Sequence, residues 1–324
     1  MDIGIHGVRQ AAHNTPQGRL GLSLTEKKSH TQRIETAAEA IFSLCACCMV
    51  FAVGSITLYM IANGVPAIYK LGAREILFSS VWKPTAADPS FGILYVILTS
   101  VVGTALAVFL GVPVALVTAV FLAEAAPRPL AAVVRPAIEL LAGIPSVVYG
   151  LLGMLVLNPH VYRLEQWLFR GSQTHQFTGG ANLLSAVLVL AIMILPTVIS
   201  VSETALRAVP EQLRASSMAL GASHIQTIFQ IILPAARPGI VTAVVLGVGR
   251  AVGEAMAVNL VSGGSVNVPL PFCSVRFLTT AIVSEMGYAE GLHRQALFTI
   301  GLVLFGFIML VNLLLHRILR GEKG

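Results

Sequence analysis

Charge is what this 324-residue chain has least of. Asp, Glu, Lys and Arg make up 11% of it, while 56% is hydrophobic; soluble domains carry about 25% charged residues. That balance excludes an ordinary soluble fold. There are four cysteines; the C-x-x-C spacing that occurs, Cys45 to Cys48, lies inside an apolar run with no second pair, which argues against a zinc ribbon or a disulfide framework. Cys45, Cys47 and Cys48 in one apolar run, and Cys273 alone, read as buried small hydrophobes. No G-x-x-x-x-G-K-[ST] phosphate-binding loop occurs, so any nucleotide-driven step belongs to a partner. The chain lacks alternating ten-residue segments, which excludes a barrel. It lacks a basic face on a soluble module, which excludes a nucleic-acid partner. Its first apolar run ends without a small-residue cleavage pattern, so a retained span is expected rather than a cleaved signal peptide.

What the chain does have is length in its apolar runs. A hydrocarbon core of roughly 30 Å takes about 20 residues of helix. Six runs suffice: 40–62, 91–122, 131–157, 183–202, 239–262 and 296–315. Helices satisfy their own backbone hydrogen bonds in lipid, so the fold class is all-α integral membrane with six transmembrane helices. Placing the N-terminus inside puts thirteen Lys and Arg in cytoplasmic segments and seven outside, with Arg250 within a span. That bias predicts a multi-pass protein with both termini cytoplasmic. Residues 1–36 read as a cytoplasmic tail, mobile and pattern-poor over 1–33, and residues 37–320 as the transmembrane domain.

The polar insert 210–234 stands between the fourth and fifth runs. Pro210 and Glu211 suit a helix start. Gly221 suits a C-terminal stop. Ser223 with Gln226 is a capping box opening a second helix, and Ile225, Ile228, Phe229 and Ile232 give it one apolar face. Pro234 is expected to end it. A helix–turn–helix of this kind serves as a cytoplasmic handle for an external partner. The pattern equally describes an amphipathic segment resting on the membrane surface.

Two spans carry charge. In G-V-G-R-A-V-G-E, Arg250 and Glu254 are four apart and are expected to pair on one helix face, with Gly249 and Gly253 permitting close helix approach. An ionised residue at mid-bilayer costs roughly 3 kcal/mol on insertion scales. Two readings stand: a salt bridge locking helices, or an anion path in which the Arg fork grips an oxyanion and Glu254 offsets its charge. In the third run Arg135 and Glu139 repeat the four-residue spacing, and Gly143 and Pro145 break the helix before Ser146 and Tyr149. Such a break either lines a substrate site or is a kink for packing. Glu203 reads as an interfacial residue.

The insert resembles the EAA loop of ABC importer permeases, E-A-A-x3-G-x9-I-x-L-P. Here it reads Ala215, Ser216, Ser217, Gly221, Ile231, Leu233, Pro234, with Ala215 in place of the leading Glu. The runs L-L-A-G-I-P-S-V-V-Y-G and G-R-A-x-G-E-x-M-A-V are similar to those of phosphate-importer permeases of the PstC type, over roughly residues 35–320. The resemblance implies a type I ABC importer permease fold in a bacterial inner membrane. It implies a phosphate path through Arg250, Glu254, Glu139, Pro145, Ser146 and Tyr149. It also implies ATPase coupling through Arg214, Ala215, Gly221, Ile231, Leu233 and Pro234. The partners implied are a second, PstA-like permease, an ATPase dimer that binds ATP and Mg, and a periplasmic phosphate-binding protein. This chain then needs no cofactor, metal or catalytic residue of its own. A permease for sulfate or molybdate, a phosphate-sensing membrane scaffold and a secondary carrier are the alternatives.

Overall fold

The computed structural model describes residues 16–320, which divide into two units between Tyr59 and Met60. Helix α1 spans Pro16–Leu71. Within the first unit its apolar side chains, Phe42, Val50 and Phe51 among them, are exposed, as are Cys45, Cys47 and Cys48. The cysteines are therefore not buried in protein; in a bilayer this surface meets lipid. Residues 1–15 of the expected tail lie outside the described residues. Residues 16–33 are helix rather than a patternless segment. No Pro or Gly interrupts residues 22–53, and adding a turn to an existing helix avoids the cost of nucleation.

In the second unit α2 (Ala73–Phe78) leads to a small antiparallel ribbon of β1 (Trp82–Lys83) and β2 (Ser90–Phe91). Next comes α3 (Leu94–Val120), which ends in a π turn at Phe121–Ala125. The third run forms α4 (Arg128–Gly143), α5 (Ser146–Leu152), a π turn and α6 (Asn158–Leu168). Helix α7 covers Leu183–Arg207 and α8 covers Glu211–Ala219. Then α9 (His224–Thr227) passes through a π turn, Ile228–Ile232, into α10 (Leu233–Gly253). Short α11 (Met256–Val261) and α12 (Leu278–Glu285) precede α13 (Gly291–Arg320).

Among the described residues five helices are long and apolar enough to cross a membrane, and a bent pair makes a sixth. The third span is not straight: its halves meet at 99°. Pro145 withdraws the donor that would continue the helix, and Ile144 is extended. The fifth span is shifted from its expected bounds, running His224–Gly253. Pro234 does not stop it. The π turn before it re-registers the hydrogen bonds, and Pro234 falls in the first turn of α10, where a missing N–H costs little. The last span begins at Gly291, ahead of the expected residue 296.

Helix α7 is the most enclosed span, apolar on nearly every side, as expected of a helix surrounded by others. One buried cluster joins Leu190 and Met193 of α7 to Tyr149, Ala257 and Val258. A second joins Leu122, Ile138, Leu206, Ile228 and Ile232 beside the 210–234 insert. A third joins Ile76, Ile93, Leu278, Leu297 and Ile300.

Candidate functional site

The break in the third span packs against the break that follows the fifth. Helix α5, just past Pro145, lies against α11, just past Glu254. Gly150 permits this, since a Cβ there would stand 2.7 Å from the Ala257 Cα. Tyr149 is buried in the same contact. Its hydroxyl donates to the Leu141 carbonyl oxygen at 2.7 Å, an acceptor it shares with the Ile144 N–H at 3.3 Å. Ser146 is half-buried in the first turn after the break, and Pro145 and Glu139 are exposed.

Arg250 and Glu254 do not pair as their spacing predicted. The four-residue rule holds only while the helix continues, and α10 ends at Gly253 with Glu254 extended. The Glu254 carboxylate instead accepts from the Ala257 N–H at 2.9 Å, and its carbonyl oxygen accepts from the Thr279 hydroxyl at 2.7 Å. Glu254 thus holds the break in shape. The Arg250 guanidinium is half-buried and donates to the Thr197 hydroxyl at 3.2 Å. It has no carboxylate partner among the described residues. Arg250 lies in the last turn of α10, and the break that follows it packs Ala257 against Tyr149 and Gly150, so Arg250 and both breaks share one neighbourhood. Gly143, Gly249 and Gly253 are exposed, with open space where a Cβ would stand. Among the described residues, the G-x-x-x-G face is therefore not used against another helix.

The insert folds as its local signals predict up to Pro234. Helix α8 stops before Gly221, whose φ of 89° is the left-handed turn that glycine accepts freely. Ser223 and Gln226 form the capping box. The Ser217 and Thr227 hydroxyls lie 2.9 Å apart and tie the two helices together. The expected apolar face is divided: Ile228 and Ile232 are buried, whereas Ile225 and Phe229 are exposed together with Leu220. Ala215 and Pro234 are exposed, and Ile231 and Leu233 half-buried.

Arg214 turns inward. It bonds Glu124 at 3.0 Å and the Leu206 carbonyl oxygen at 3.1 Å. Arg135 does not pair with Glu139. It reaches across to Glu203 at 2.6 Å, and Arg207 reaches the same Glu203 oxygen at 2.9 Å. Both arginines also donate to the Leu122 carbonyl oxygen, at 3.1 and 3.2 Å. Glu203 is therefore a buried hub rather than an interfacial residue. Sequence reading missed it because its partner lies 68 residues away.

Two further buried carboxylates lie at the end of α7 remote from the insert. Glu165 accepts from Thr178 and meets His175 Nε2 at 2.8 Å; His175 in turn stacks on Phe169, which is thereby packed in protein. Glu285 gathers Trp82, Arg276 and His293. Burial, and secondarily the Glu165 carboxylate, hold the nearby Cys273 thiol above its ordinary pKa.

Residues 111–321 match the family described as binding-protein-dependent transport system inner membrane component. A probable ABC transporter permease protein, YqgH of Bacillus subtilis, is 38% identical, covering 91% of this chain and 95% of its own length. The phosphate transport system permease protein PstC of Haemophilus influenzae is 32% identical over 92% of this chain and 96% of its own length. Its counterpart in Xylella fastidiosa is 34% identical over 85% and 88%. Among solved structures, a chain of a bacterial ABC transporter that imports alginate has a TM-score of 0.56 at 15% identity, covering 85% of this chain and 96% of its own. A chain of the inward-facing MetNI methionine ABC transporter has a TM-score of 0.54 at 21% identity, covering 71% and 95%. The fold is that of an ABC importer permease.

Proposed function

The chain belongs to the family of binding-protein-dependent transport system inner membrane components, and from that premise we propose that it is the permease subunit of an ATP-driven phosphate importer. One observation carries the substrate reading. Arg250 is an intramembrane guanidinium whose hydrogen-bond partner is the neutral Thr197 hydroxyl, beside two packed helix breaks. A fork of this kind, always charged and bidentate, suits an oxyanion. The relatives named as phosphate permeases favour phosphate among the oxyanions.

Glu139, Pro145, Ser146, Tyr149 and Glu254 complete this chain's half of the path. Glu139 sits in the groove beside the break, and Glu254 and Tyr149 hold the two breaks in register. The other half comes from a second, PstA-like permease, seated on the smooth face of Gly143, Gly249 and Gly253. Small residues of this kind let membrane helices approach closely. The insert faces the cytoplasm by the Lys and Arg bias. There the exposed Leu220, Ile225 and Phe229 dock on an ATPase dimer, with Gly221 setting the turn, Arg214 anchoring the handle to the bundle, and Ala215, Ile231, Leu233 and Pro234 flanking the contact. ATP and Mg are bound by that dimer. A periplasmic phosphate-binding protein delivers substrate to the opposite face. ATP-driven closure of the dimer pushes the handle, and the spans rock the path between its two openings.

The test is uptake of labelled phosphate at low external concentration in cells lacking this gene, restored with the wild-type chain. Restored uptake that excess sulfate and molybdate do not compete supports the reading. Uptake abolished by either competitor transfers it to that oxyanion.

A further inference from the structure

We propose that Arg214, Glu124, Arg135, Glu203 and Arg207 form a charged relay that carries the handle's movement to the broken third span. The inference rests on the reading of this chain as an ATP-driven phosphate permease.

The relay centres on the π turn at the end of α3. In that turn the Ala126 N–H is taken by the Phe121 carbonyl at 2.7 Å. The next residue, Pro127, has no N–H to give. The Leu122 carbonyl oxygen is thereby left without a backbone donor. It is filled by two guanidiniums, Arg135 from α4 and Arg207 from α7. Glu203 binds the same two arginines from the other side. Two residues after Leu122, in the same π turn, Glu124 takes Arg214 of the handle. Its side chain is 2% exposed. Four elements are thus joined through short charge-assisted bonds: the handle, the end of α3, α4 and α7.

These bonds do not slip readily. Glu124 and Glu203 are buried, and parting either from its arginines would leave an uncompensated buried charge. A displacement of α8 therefore drags the π turn, and the π turn drags Arg135. From Arg135 a rigid helix of roughly 12 Å, at about 1.5 Å per residue, leads to Gly143 and the break that carries Pro145. Apolar packing around Leu122, Ile138 and Leu206 surrounds the relay, and the charged bonds connect the handle to α4 through named donors and acceptors. Coupling of this kind travels through contiguous bonded networks.

The experiment uses the complete importer in proteoliposomes with its binding protein, counting phosphate imported and ATP hydrolysed. Glu124→Gln, Glu203→Gln and the double variant are compared with wild type. Each single variant is expected to retain its ATPase subunits and basal ATP hydrolysis, yet import about tenfold less phosphate per ATP. Because the two residues act in series, the double variant is expected to be no worse than the more severe single. Should Glu203→Gln not assemble, Arg135→Lys takes its place, keeping the charge and losing the fork, with the same expectation. An unchanged phosphate-to-ATP ratio in both singles, or losses that multiply in the double, would overturn the relay. A wild-type complex whose ATP hydrolysis ignores phosphate would overturn the functional reading, and the relay with it.

Discussion

Gly150 of the third span rests directly on Ala257 of the short helix that follows the fifth. This contact binds the two helix breaks into one unit. A methyl group on Gly150 has no room, since its nearest neighbours are the Ala257 Cα at 2.7 Å and the Ala257 carbonyl oxygen at 2.9 Å. Backbone of this kind yields less easily than the end of a flexible side chain.

Gly150→Ala is therefore expected to overpack the breaks and destabilise the purified complex by about 1–3 kcal/mol. Thermal unfolding of the detergent-solubilised importer checks it. Gly249→Ala, at a position with open space in this chain, is the comparison: a loss there that appears only when the second permease is present locates the partner's face. Equal stability of Gly150→Ala and wild type would show that α5 and α11 are not pressed together.

Thr197 supplies the hydroxyl to which the Arg250 guanidinium donates. Thr197→Val keeps the shape and removes that oxygen. A hydrogen bond to a charged group contributes roughly 1.5–3 kcal/mol, with the lower end applying to a half-buried Arg. We expect the apparent phosphate affinity of the complex to fall by about tenfold. Thr197→Ser, which restores the oxygen, is expected to recover most of it. Initial uptake rates against external phosphate concentration measure both. An unaltered affinity in Thr197→Val would mean that Arg250 is positioned by other contacts.

The Cys273 thiol is held above its ordinary pKa, chiefly by burial and secondarily by Glu165. Its alkylation by iodoacetamide is expected to be slow near neutral pH and to rise only above the range of a free thiol, because the thiolate is the nucleophile. The sign for stability follows. Since the folded-state value is raised, the contribution of Cys273 is fully present below the unfolded value and is lost as pH climbs through the folded one. Glu165→Gln removes the smaller cause and is expected to move the alkylation profile modestly to lower pH. A profile matching a free thiol in the wild-type protein would contradict this environment.

How much of this was legible in the sequence depended on distance along the chain. The Gly221 turn and the Ser223–Gln226 capping box form as read, because each is decided within a few residues. The Pro145 break was legible for the same reason, but not its 99° angle or the packing of Gly150 on α11, which involve residues over a hundred positions apart. The pairing of Arg250 with Glu254 failed because it assumed an unbroken helix. The helix ends at Gly253, and Glu254 finds the Ala257 N–H instead. Pro234 failed as a stop because a π turn beforehand absorbs its missing donor. Nothing local marks Arg135 for Glu203, or Arg214 for Glu124. Arg135 and Arg207 meet at the Leu122 carbonyl that Pro127 cannot serve, and Arg214 meets Glu124 in the same π turn.

The proposed path rests on Arg250 gripping the transported anion. The most direct measurement is phosphate uptake at low external phosphate in cells lacking this gene, complemented with wild type, Arg250→Lys or Arg250→Ala at matched membrane levels. The account predicts that wild type restores uptake, that Arg250→Ala does not, and that Arg250→Lys, keeping charge without the fork, restores a small fraction. Full uptake by Arg250→Ala would contradict it and move the path away from the paired breaks.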